Sequence, residues 1–174
     1  MAIYFADGSS MTANSFAHWF YTSGSSVTIS TTGAGTHIPI SNVDYQAGIT
    51  VSTGNNNWTH ATTGQYVLTI RYRQHGGGDV WTVWGVTKGG SSDAVGISAR
   101  TGSENNHNEA YEVFYNVDST SATYQLQGWC GTSSKAAKNP DGQGKPSWSN
   151  YDTLAGESSS TAGRQLDVII TKVS

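Results

Sequence analysis

The chain has 174 residues, with nine Lys and Arg against twelve Asp and Glu and a formal net charge of −3. Charged residues are 12% of the total, about half the share of roughly 25% in an average soluble domain. No basic stripe is available for phosphates, so nucleic acid is not an expected partner, and no apolar run is long enough to cross a bilayer.

From the start of the chain, Met1-Ala2-Ile3-Tyr4 has neither the basic segment nor the long apolar segment of a secretory signal. A protein made and assembled in the cytoplasm is therefore expected. The 21 glycines, six Trp and nine Tyr, with abundant Ser and Thr, point to an all-β protein with many turns. Short β-prone runs predict strands near Ala2–Phe5, Val27–Thr31, His37–Ile40, Gly48–Thr53, Gln65–Arg73, Val80–Thr87, Ala94–Ala99, Glu109–Val117, Ala122–Trp129 and Leu166–Val173. Turn signals separate them, among them Gly54-Asn55-Asn56-Asn57, Gly76-Gly77-Gly78-Asp79 and Asp118-Ser119-Thr120-Ser121. About ten short strands in one domain is the pattern of a two-sheet sandwich or jelly roll.

The clearest strand is Gln65–Arg73. Because side chains alternate across a strand, Tyr66, Leu68, Ile70 and Tyr72 form an apolar face expected in the core. Val67, Thr69, Arg71 and Arg73 form the other face, which is only partly polar. Val80–Val86 is apolar on both faces, as is part of Glu109–Val117. A strand apolar on both sides is covered on both sides, so a second covering layer is expected from another subunit or from loops. The stretch Lys135–Gly163 shows no periodicity and holds two of the three prolines, which predicts a long loop. Its Trp148 and Tyr151 either plug the end of the sandwich or offer a surface for stacking a sugar.

Catalytic signals are poor, and no enzyme activity is expected. The five histidines, His18, His37, His60, His75 and His107, share no metal-ligand spacing. Glu104–Glu109 and Asn139-Pro140-Asp141-Gly142 are rich in oxygen ligands but lack calcium-loop spacing and read as polar turns. The single cysteine, Cys130, excludes an internal disulfide and a multi-cysteine metal site and reads as a small buried hydrophobe. The sequon Asn57-Trp58-Thr59 is read as coincidence, given the missing secretory signal. No metal and no cofactor are expected.

Thr62-Thr63-Gly64-Gln65-Tyr66-Val67-Leu68-Thr69-Ile70 resembles the strand after the Gly-x-Tyr turn in the globular heads of complement's first component and of tumour necrosis factor. Trp81–Lys88 with Gly89-Gly90, the hairpin Tyr111–Val117 and Ala122–Trp129, and the closing run Leu166–Val173 follow in the family's order over about residues 46–174. The long Lys135–Gly163 stretch departs from the family, and the last strand lacks its usual glycine. The resemblance implies a ten-stranded jelly roll and a homotrimer whose inner sheets pack around a threefold axis. Carried over, Tyr66, Leu68, Ile70 and Tyr72 would be core, and Val67, Thr69 and Arg71 would line the trimer interface.

Ile3-Tyr4-Phe5-Ala6-Asp7-Gly8-Ser9-Ser10-Met11-Thr12 resembles the openings of short virion proteins of tailed bacteriophages. That resemblance implies a docking segment, with Ile3, Tyr4, Phe5, Asp7 and Gly8 at the particle and Trp19 and Phe20 giving apolar grip. The chain then divides into residues 1–45, the docking segment and first strands, and residues 46–174, the head. Together the two resemblances imply a virion protein assembled in the host cytoplasm. It would be a trimeric capsid decoration or cement protein bound to the major capsid protein. The alternatives are the knob of a tail or head fibre, with Trp148 and Tyr151 contacting host-surface glycan, and a carbohydrate-binding module with no virion role.

Overall fold

The structure, a computed structural model, describes residues 3–4, 10–11, 15–22, 27–29, 35–75, 80–91, 93–102, 108–130, 135–138 and 164–174. Every regular element among the described residues is a β-strand, and there is no helix. Among the described residues, strands β1 (Ile3–Tyr4) and β2 (Ser10–Met11) pair only with each other, with Ile3 opposite Met11. All other strands belong to two antiparallel sheets.

The seven-stranded sheet holds β3 (Phe16–Thr22), β4 (Val27–Ile29), β6 (Asn42–Ala47), β9 (Gly64–His75), β12 (Asn108–Val117), β14 (Lys135–Lys138) and β15 (Arg164–Lys172). Its central run is β6-β3-β15-β9-β12. The six-stranded sheet holds β5 (Thr36–His37), β7 (Ile49–Ser52), β8 (Asn57–His60), β10 (Val80–Lys88), β11 (Ala94–Gly102) and β13 (Tyr124–Cys130). Its order is β11-β10-β13-β8-β7, with β5 on β13.

The core lies between the sheets and follows from alternation along each strand. Tyr66, Leu68, Ile70 and Tyr72 are buried, and so are Tyr111, Val113, Tyr115 and Val117 of β12 and Leu166, Val168 and Ile170 of β15. Register aligns them into rows: Val113 faces Leu68, Leu68 faces Ile170, and Ile170 faces Ala17. The six-stranded sheet answers with Trp58, Trp84, Val86, Tyr124 and Leu126. Each such side chain stabilises the fold by about 1.5–3 kcal/mol relative to exposure. The glycine of the Thr-Gly-x-Tyr motif has a geometric reason. Gly64 has φ +134°, and a Cβ there would collide with the carbonyl oxygen of Ser174, which accepts the Gln65 N–H at 3.0 Å.

Three sequence expectations change. Trp19, expected to grip a particle, is fully buried in the core, where no outside partner reaches it. Phe20 points to the opposite face of the same strand, beside Asp167 in register, and is only 2% exposed. Neighbouring residues buried on opposite faces mean that the sheet is covered on both sides at that point. Second, β3 sits between β15 and β6, so residues 16–22 are part of the sandwich; a boundary at 45/46 would cut through β6. Third, Lys135–Lys138, expected in a loop, is a strand paired with both β4 and β9. Residues 139–163, with Trp148 and Tyr151, lie outside the described residues, as do Phe5, Asp7 and Gly8.

Candidate assembly face

The outer face of the β6-β3-β15-β9-β12 run is built by the residues that alternate with the core set. Register lays them out in three rows. Phe16, Thr171, Val67 and Phe114 form the first; His18, Ile169, Thr69 and Glu112 the second; Phe20, Asp167, Arg71 and Ala110 the third. Val67, Thr69 and Arg71 therefore share one face, the first two half-buried and Arg71 exposed.

The apolar content of this face is unusual for a surface. Phe114 at one edge and Tyr45 at the other are each 58% exposed. Between them Phe16, Val67 and Ile169 are half-buried. The Phe16 and Tyr45 rings lie 5.6 Å apart between centroids, within the range of favourable aromatic contact. At the Phe114 edge the face opens into a groove of about 540 Å³ bounded by Thr69, Arg71, Ser98, Glu112 and Phe114.

His18 and two carboxylates meet across strands on this face. His18 stands between two carboxylates, with Nδ1 3.1 Å from Asp44 and Nε2 3.0 Å from Asp167. The ring thus links β6, β3 and β15 across their outer side. Register places Asp167 directly opposite Arg71 on the neighbouring strand.

Sequence reasoning placed Val67, Thr69 and Arg71 on one face but missed its most exposed members. Phe114 was legible by parity, since Tyr111, Val113 and Tyr115 claim the core and leave Phe114 on the outer side with Glu112 and Asn116. Tyr45 lay in no predicted strand. Among the described residues no group of three or more His, Cys, Asp or Glu side chains could hold a metal ion, and no helix is long and apolar enough to cross a membrane.

No protein-family model matches the chain, and no curated protein is similar enough to count as a relative. Fold and face define the class as an all-β protein of two antiparallel sheets with a partly apolar outer face on one of them.

Proposed function

We propose that this protein is a structural virion component of a bacteriophage, a homotrimeric jelly-roll head that decorates and cements the capsid. The observation that carries the reading is the outer face of the seven-stranded sheet, where Phe114 and Tyr45 stand exposed at opposite edges of a half-buried apolar strip. Contiguous apolar surface of this kind marks an interaction site. In a ring of three copies the contact is heterologous, so one edge of the face meets a different part of the next subunit.

Strand order supports the jelly-roll part. Numbering β3, β8, β9, β10, β11, β12, β13 and β15 from one to eight, the sheets read 1-8-3-6 and 2-7-4-5. The pairs 1 with 8, 2 with 7, 3 with 6 and 4 with 5 are all hydrogen-bonded neighbours. Rolling a ladder of four such antiparallel pairs into two sheets gives a jelly roll.

The β1–β2 pair supports a docking role for the opening residues, because among the described residues it joins neither sheet. Each trimer would bridge neighbouring subunits of the shell through these three hairpins and add buried interface to it. Deleting residues 1–12 tests this. The shortened protein is expected to fold and keep its oligomeric state but to stop co-sedimenting with capsids. A truncated chain that binds capsids like the full one would contradict the docking role.

A further inference from the structure

His60, on β8, is 2% exposed and sits in a nest of aromatic side chains between the sheets. Its Nε2 is 3.1 Å from the Trp58 indole nitrogen and 3.1 Å from the Tyr115 hydroxyl. An indole N–H can only donate, and this one is shared between His60 Nε2 and the Tyr115 hydroxyl oxygen 3.2 Å away; as the nearer acceptor, Nε2 carries a lone pair. The ring is therefore neutral, with its hydrogen on Nδ1, which is buried and has no hydrogen-bond partner among the described residues. The Tyr66 ring lies 4.1 Å away between centroids, and Tyr124 closes the nest edge-on at 5.1 Å.

These contacts span the two layers. Trp58 and Tyr124 belong to the six-stranded sheet, Tyr66 and Tyr115 to the seven-stranded one. The titratable groups facing the ring are thus Tyr66 from β9, Tyr115 from β12 and Tyr124 from β13. Burial holds the Tyr115 hydroxyl well above its ordinary pKa, so it stays neutral. The charged groups around the nest act one residue removed. Lys172 reaches Thr62, a partner of the Tyr66 hydroxyl, and Asp118 acts on Tyr124. Among the described residues no carboxylate is hydrogen-bonded to the imidazole.

We propose that His60 is an acid-sensitive latch: neutral, it accepts the hydrogen bonds of Trp58 and Tyr115 and joins the two sheets, and protonation drives it from the nest and loosens them. A proton on Nε2 would meet the Trp58 N–H head-on, and no buried carboxylate compensates the charge. In keeping with this, burial lowers the His60 pKa from 6.5 to about 4. The unfolded chain then binds the proton first. The latch contributes its full stability above pH 6.5 and loses it as pH falls from 6.5 to about 4.

The test is denaturant unfolding of the full chain between pH 7 and pH 4, compared with His60→Gln, whose amide oxygen accepts a hydrogen bond and does not titrate. The wild-type folding constant is expected to fall about 100-fold more than that of the variant over this range, as a shift from 6.5 to about 4 requires when the folded-state imidazole is half-protonated at the lower end. Parallel profiles would overturn the latch. Should His60→Gln not fold, NMR titration of the wild-type imidazole decides. A ring still neutral at pH 5, protonated on Nδ1, supports the proposal; one titrating near 6.5, or protonated on Nε2, overturns it.

Discussion

The two faces of the seven-stranded sheet are made by the same strands and meet opposite fates. On the inner side, Leu68, Ile70, Val113, Val168 and Ile170 are all fully buried. On the outer side, residues one position away along β9, β12 and β15 are half-buried or open, and Phe114 is 58% exposed. Both faces carry aromatic and branched side chains suited to packing. The difference is that the inner face finds its partner within the chain, and the outer face, on the proposal above, is finished by association. Changes to the inner face should therefore be read in folding stability, and changes to the outer face in assembly.

The largest expected effect is on the inner side. Tyr66→Ala removes a fully buried ring whose hydroxyl donates to the Thr62 carbonyl at 2.9 Å and should cost about 3–5 kcal/mol in denaturant unfolding. A loss below about 1 kcal/mol would mean that this face is not the core. Phe114→Asp comes next and should behave oppositely. Stability of the single chain should change by about 0.5 kcal/mol or less, as for an exposed position. Self-association should weaken by about 100-fold or more in sedimentation, the loss expected for an aromatic anchor of an interface. A variant that unfolds, or one that associates like wild type, would erase the contrast between the faces. The smallest effect is expected at His18→Ala. Its two carboxylate contacts are partly solvent-exposed, so unfolding should register about 1 kcal/mol or less.

How much of this was legible depended on the strand. Gln65–Arg73 could be read because nine residues keep one parity apolar throughout, and the structure extends it only to Gly64–His75. Phe16–Thr22 could not, because Phe16, Ala17, Trp19, Phe20 and Tyr21 fall on both parities. A period of two disappears where a strand is covered on both sides, and the segment then reads as an external grip. Asn57–His60 was hidden by its neighbours. The turn before it, with Asn56 at φ 51°, is so strong a signal that a four-residue strand carrying Trp58 and His60 looked like more of the loop. On the outer face, alternation placed Val67, Thr69 and Arg71 together. Tyr45, Ile169 and Phe114 are set beside them by strand register, which pairs His18 with Tyr45, Val67 with Phe114 and Thr69 with Ile169, 27, 47 and 100 positions apart, and leaves no local trace in sequence.

The account rests on the outer face being an interface between copies of this chain. Light scattering on the purified full chain measures that most directly. The expected result is about 55 kDa, three times the 18.4 kDa of one chain, falling toward a single chain in Phe114→Asp. A wild-type protein that remains at 18.4 kDa as its concentration is raised would contradict the claim.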